Sequence, residues 1–189
     1  MLAQPPPSEL PAGTLVVYTD GSGPDDSNRT RNRTGKAGWG FVVTGGDVNG
    51  TDDQYARELH SDCGEVITER SARRYIGAEA ATNNTGELTA IVRALEYILE
   101  QQSSCPVLLR YDSLYAAGVA SGATRARAHR TLVRRANRVW REVHAQRNGN
   151  VWASHVRGHS DNKWNDRADE LARQGKGGAP IRRRRRGDG

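Results

Sequence analysis

Two short apolar runs, LVVYTD at residues 15–20 and VLLRYD at 107–112, stand far apart in the chain and each ends on an aspartate. Their β-branched and aromatic content reads as strand. In open α/β sheets, ligands bind beyond the carboxyl ends of the strands, so Asp20 and Asp112 stand where a site would form. If the two strands are parallel neighbours, their carboxylates lie about 5 Å apart along the sheet. Two negative charges that close repel one another unless a cation sits between them. The pair calls for a metal.

The rest of the chain supplies an α/β frame for such a pair. Residues 38–44 (GWGFVVT) form a second strand, divided from the first by a polar stretch at 24–36 that reads as a long exposed loop. Residues 47–80 hold at least one further strand, with strand-like pieces at 66–68 and 74–76. After Thr82, Asn83, Asn84 and Thr85, whose polar side chains can cap a helix, Leu88, Ile91, Val92, Leu95, Ile98 and Leu99 recur on one helical face. Ser113 can cap a short helix at 114–120. A helix at 126–145, a strand VWASHV at 151–156 and a final helix at 163–173 complete the order. Antiparallel early strands and later ones reached through helices predict a mixed sheet. The 189 residues suit one domain: a folded unit at 14–174, a Pro-rich lead-in at 1–13 and a basic tail at 175–189.

Net charge is +6, but the arginine run at 182–186 supplies five of those charges and leaves the rest nearly neutral. The position of the charge says more. Between residues 125 and 147 eight arginines face the single Glu142. With Arg127 set at 0°, the residues Arg130, Arg134, Arg138 and Arg141 fall within about 60° of it, while Leu132, Ala136, Val139, Trp140 and Val143 gather on the opposite side. Such a ridge binds phosphates through counterion release and carries little sequence information. Cys63 and Cys105 form no CxxC pair, which argues against a zinc site or a disulfide framework. No apolar run reaches membrane-span length and the N-terminus lacks signal-peptide character, so a cytoplasmic location is expected, or a nuclear one in a eukaryotic host.

Two further acids face inward. Glu87 falls at the edge of the buried stripe of its helix, and a carboxylate there needs compensation. In the last helix Trp164, Ala168 and Leu171 define an inner face, with Asn165 and Asp169, four apart, along its border. Each acid taken singly has an ordinary reading as turn, cap or solvated charge. Together they place four carboxylates at strand ends and core edges. Oxygen ligands without Cys suit Mg²⁺ or Mn²⁺, and four acids can hold the two ions that drive in-line phosphodiester displacement.

The segments YTDGSG (18–23), TNNTGELTAI (82–91), YDSLYA (111–116) and HVRGHSDNKWNDRADELA (155–172) resemble, in order and spacing, the type I ribonuclease H family. That resemblance implies a ribonuclease H-like fold, a mixed five-stranded sheet flanked by helices. It also implies an endoribonuclease that cuts the RNA strand of RNA–DNA hybrids and leaves 3′-hydroxyl and 5′-phosphate ends. By the same resemblance Asp20 bridges two ions, Glu87 and Asp112 complete the site nearer the leaving group, and Asp169, chosen over Asp166, completes the water-activating site. His159 assists proton transfer or product release. Asn83 and Asn84 become minor-groove contacts that read the 2′-hydroxyl, and Thr82 a phosphate contact. Leu114 stands where the family commonly has Gln, so one such contact is missing. A monomer is expected. Two other readings are open: a protein of this fold that only binds hybrids or double-stranded RNA, and a DNA-directed nuclease or transposase.

Overall fold

A computed structural model of the chain describes residues 5–24, 35–46, 56–156 and 162–178. Five strands form one mixed sheet: β1 (Leu15–Ser22), β2 (Gly38–Gly45), β3 (Arg57–Glu65), β4 (Val107–Tyr111) and β5 (Val151–His155). Their spatial order is β3-β2-β1-β4-β5. β2 pairs antiparallel with both β1 and β3, whereas β4 runs parallel to β1 and β5 parallel to β4. Parallel neighbours need crossovers. Helix α1 (Asn83–Glu100) leads into β4, and α2 (Leu114–Ser121) with α3 (Arg130–Gln146) leads into β5. Helix α4 (Lys163–Lys176) ends the described fold.

Strand alternation divides the core into two layers. Val17, Trp39, Phe41, Val43 and Leu109 pack with Leu88, Ile91, Val92, Leu95 and Ile98 of α1 and with Leu132, Val139 and Trp140 of α3. On the other face Val16, Tyr18, Val42 and Leu108 meet Trp164, Ala168 and Leu171 of α4. Leu10 joins this second cluster, and Thr14 is fully buried with its hydroxyl donating to the Pro11 carbonyl at 2.6 Å. The expected lead-in at 1–13 thus yields its last residues to the fold, because Leu10 finds apolar partners there.

Three other expectations are corrected. The further strand expected within 47–80 is present as Arg57–Glu65, while the strand-like pieces at 66–68 and 74–76 are not strands. RELHSDCGE shows little hydrophobic alternation because β3 is an edge strand whose first residues are exposed. Helix α3 begins at Arg130, not 126, since His129 adopts the left-handed conformation (φ 54°) and interrupts the helix path. Arg127 therefore lies outside it. Asp20 is not the last strand residue, for β1 continues to Ser22 along β2. The expected loop at 24–36 and the tail fall largely outside the described residues.

One contact sets the position of α1. A Cβ at Gly21 would stand 2.1 Å from the Glu87 nitrogen and 2.5 Å from the Gly86 carbonyl carbon, so the helix backbone lies directly on β1. Gly86 is equally confined, its would-be Cβ 2.6 Å from the Gly38 carbonyl oxygen. We expect Gly21→Ala to force α1 away from the sheet and to cost at least about 1–3 kcal/mol, the range for overpacked cores. Urea unfolding measures this; wild-type stability in the variant would mean that the helix does not sit where described.

Candidate active site

The parallel register of β1 and β4 ends with Thr19 opposite Tyr111. The next residue of each strand path is an aspartate, which places Asp20 beside Asp112 at the point where the pairing opens. Val16 and Tyr18 face the α4 layer, and alternation sends Asp20 the same way. Glu87 arrives from α1, delivered by the close approach of Gly86 and Glu87 to Gly21. One carboxylate oxygen from each of Asp20, Glu87 and Asp112 lies within 4.8 Å of the other two. Asp20 and Glu87 are only 5% and 4% exposed.

Three bare carboxylates cannot share that space alone. At 4.8 Å and an effective dielectric near 20, each pair repels by roughly 3–4 kcal/mol, so three pairs approach the whole stability of a typical domain. The protein responds by retaining protons. Burial, then the charge of Asp112, raises the Asp20 carboxyl from its ordinary 3.8 to about 7, against the lowering effect of its bonds to Glu87 and the Gly21 N–H. Burial, then Asp20 and Asp112, pushes Glu87 well above the ordinary carboxyl value. Both groups are raised, so at neutral pH the buried pair Asp20 and Glu87 retains protons that free carboxyls would have lost. The Gly21 N–H donates to Asp20 Oδ1 at 2.7 Å. An all-oxygen set without His or Cys fits a hard divalent cation, which would replace those protons.

The cleft around these acids is also lined by Gly21, Asn83, Asn165, Asp166 and Asp169. Asp169 comes from α4, partly exposed and ion-paired with Arg173 one turn on. It stands in the same cleft yet outside the tight trio. Asn165 is 3% exposed, and its Oδ1 has no hydrogen-bond partner among the described residues. Thr82 is the N-cap of α1: its hydroxyl accepts from the Thr85 N–H at 3.3 Å, and its own N–H donates to Thr85 Oγ1 at 2.9 Å. Capping thus falls to Thr82, which leaves the Asn83 side chain to line the cleft, while Asn84 is half-buried.

A family model described as RNase H matches residues 12–176, almost the whole described fold. The chain belongs to the RNase H family. Curated relatives include proteins named ribonuclease H from Chelativorans sp., 32% identical over 92% of this chain and 91% of theirs, and from Halorhodospira halophila, 32% identical over 86% and 93%. Among solved structures, RNase H1 of the archaeon Halobacterium salinarum shares the fold with a TM-score of 0.58 at 24% identity, covering 86% of this chain and 97% of its own. LC11-RNase H1, solved in complex with an RNA/DNA hybrid, overlays with a TM-score of 0.55 at 22% identity, covering 85% and 95%.

The arginine ridge of this RNase H is four residues long on α3. Arg130, Arg134, Arg138 and Arg141 are exposed, opposite the buried Leu132, Ala136, Val139, Trp140 and Val143. Arg127 is exposed too, in the segment before the helix. Arg135 turns aside to pair with Glu96 of α1, and Arg138 lies 4.0 Å from Glu142, so one acid does touch the ridge. His159 and the run at 182–186 lie outside the described residues. No described helix is long and apolar enough to cross a membrane. Sequence reasoning noted Asn165 at the border of α4 but gave it no role. It read Gly21 only as a turn residue, and overlooked the His155 ring, whose Nε2 lies 3.0 Å from the Asp112 carbonyl oxygen.

The raised carboxyls make metal-free stability pH-dependent. Between the unfolded value near 3.8 and the folded value of about 7, the native state binds more protons than the unfolded chain, so stability falls as pH rises through that window. Asp20→Asn should stabilise the metal-free protein at pH 7 relative to wild type and flatten the decline, as read by thermal melts in chelator from pH 4 to 8. A variant less stable than wild type at pH 7 would contradict the repulsion.

Proposed function

We infer, from two buried carboxyl groups and one half-buried converging within 4.8 Å at the open end of a parallel strand pair, that this chain is a ribonuclease H that hydrolyses the RNA strand of RNA–DNA hybrids. It leaves 3′-hydroxyl and 5′-phosphate ends. Asp20, Glu87 and Asp112, with Asp169 across the same cleft, would hold two Mg²⁺ or Mn²⁺ ions. When bound, such ions lower the pKa of the attacking water and stabilise the departing 3′ oxygen. The chain's own part is to hold the carboxylates. Asp20 and Glu87 would give up their protons to a bound cation, and Arg173 pairs with Asp169, which lines the cleft.

Substrate contacts follow from chemistry and placement. An A-like duplex offers 2′-hydroxyls across a wide minor groove, and the Asn83 amide in the cleft can both donate to and accept from one. Asn84 lies next to it on α1, and the Thr82 hydroxyl, though engaged in capping, stands at a helix N-terminus suited to a phosphate. Arg127, Arg130, Arg134, Arg138 and Arg141 supply sequence-independent attraction to the backbone. His159, in the segment before α4, takes the accessory proton-transfer role. Every named group comes from one chain, so a monomer suffices, and the free Cys63 and Cys105 suit a reducing cytoplasm.

Cleavage of labelled RNA–DNA hybrid, duplex RNA and duplex DNA, side by side with Mg²⁺ or Mn²⁺, tests the reading. Hybrid RNA should be cut and the others spared, and Asp20→Asn should lose at least about a thousandfold in rate while still binding hybrid. Binding without cutting by wild type would instead make it a hybrid-binding protein, and preference for duplex DNA would make it a DNA nuclease. The double variant Arg130→Gln/Arg134→Gln should weaken hybrid binding and flatten the plot of log K against log salt by about 0.7–0.9 per lost phosphate contact. An unchanged slope would remove the ridge from the interface.

A further inference from the structure

Asp112 occupies an awkward place for a residue that must be held still. The ladder between β4 and β5 closes with Tyr111 opposite His155, and the last bond across it is the Val156 N–H donating to the Tyr111 carbonyl at 2.8 Å. One residue later Ser113 already caps α2, its hydroxyl accepting from the Ala116 N–H at 3.2 Å and its carbonyl from the Ala117 N–H at 3.1 Å. Asp112 is thus the single joint between a sheet and a helix. Peptide groups past the end of a ladder have no strand partner and need another. Here the partner is a side chain: Nε2 of His155 lies 3.0 Å from the Asp112 carbonyl oxygen. The His155 ring is braced edge-on by Tyr111, centroids 6.0 Å apart and planes at 60°.

A carbonyl oxygen only accepts, so the ring nitrogen facing it carries the hydrogen. Neutral and protonated imidazole both meet that requirement at Nε2, which makes the contact independent of the ring's charge. An exposed bond of this kind competes with water and adds little to global stability. Its leverage lies in its position, because it fixes the backbone from which a carboxylate of the acid trio projects.

We propose that His155 is a positioning residue for the metal centre, acting through the Asp112 backbone; the idea rests on the functional reading above. With the bond removed, the Asp112 carboxylate samples positions away from Asp20 and Glu87, so cation affinity falls while hybrid binding is untouched.

The test is Mn²⁺ binding to the full chain without nucleic acid, followed by calorimetry and by the electron paramagnetic resonance signal of free Mn²⁺. His155→Phe keeps a ring against Tyr111 but cannot donate; His155→Gln restores a donor at the same number of bonds from the backbone. We expect the Phe variant to bind Mn²⁺ roughly two- to tenfold more weakly, the range for one hydrogen bond, with wild-type melting temperature and KM for hybrid. Its kcat should return at saturating metal, and the Gln variant should recover most of the affinity. Equal Mn²⁺ affinity in wild type and His155→Phe, a Gln variant as weak as Phe, or a kcat that excess metal fails to restore would each overturn the assignment. If wild type and Asp20→Asn bind Mn²⁺ equally, the functional reading itself fails and this one with it.

Discussion

Everything in the site depends on the parallel register of β1 and β4, which sets two aspartates on adjacent strand paths just past Thr19 and Tyr111. Sheet spacing alone then brings their carboxylates into mutual repulsion. The packing of α1 adds a third charge: Gly21 has no side chain, so the helix settles backbone against backbone, and Glu87 is driven into the same pocket. α1 is buried from Thr85 through Val92, so the Glu87 carboxyl is held at the floor of the cleft, 4% exposed, where it cannot swing away from the other two acids. Apolar packing between the layers compels an arrangement that electrostatics opposes.

That conflict is the source of function. A protein that merely needed a stable core would not gather acids here, since replacing them with apolar groups relieves the repulsion. Burial first, and mutual repulsion after it, raises the Asp20 and Glu87 carboxyls, and a divalent cation would relieve both by exchanging for protons. Around this centre the fold adds groups of graded exposure. Asp169 is partly open and tied to Arg173, Asn83 lines the cleft from the first turn of α1, and Arg130, Arg134, Arg138 and Arg141 of α3 are exposed.

Much of this was legible in the sequence because the central strands are apolar and short. LVVYTD and VLLRYD announced β1 and β4, and the stripe from Leu88 to Ile98 announced α1. From those three elements the trio of acids follows once the strands are parallel. β3 was hidden because an edge strand is read by neither alternation nor apolar run; RELHSDCGE is mostly polar. The start of α3 was hidden because Ala126 and Ala128 favour helix, whereas the left-handed His129 is a tertiary outcome. His155 escaped notice for a related reason: its partner is a backbone carbonyl, and composition carries no trace of such a contact. Asn165 could have been found, since its spacing from Asp169 was evident and a buried amide beside an acid needs a partner.

The most direct test of the central claim is anomalous diffraction from crystals grown metal-free and soaked in Mn²⁺. The account predicts manganese peaks within ligand distance of carboxylate oxygens of Asp20, Glu87 and Asp112, with the three side chains converging as described. Well-ordered crystals showing no manganese there, or those carboxylates turned apart from one another, would contradict it.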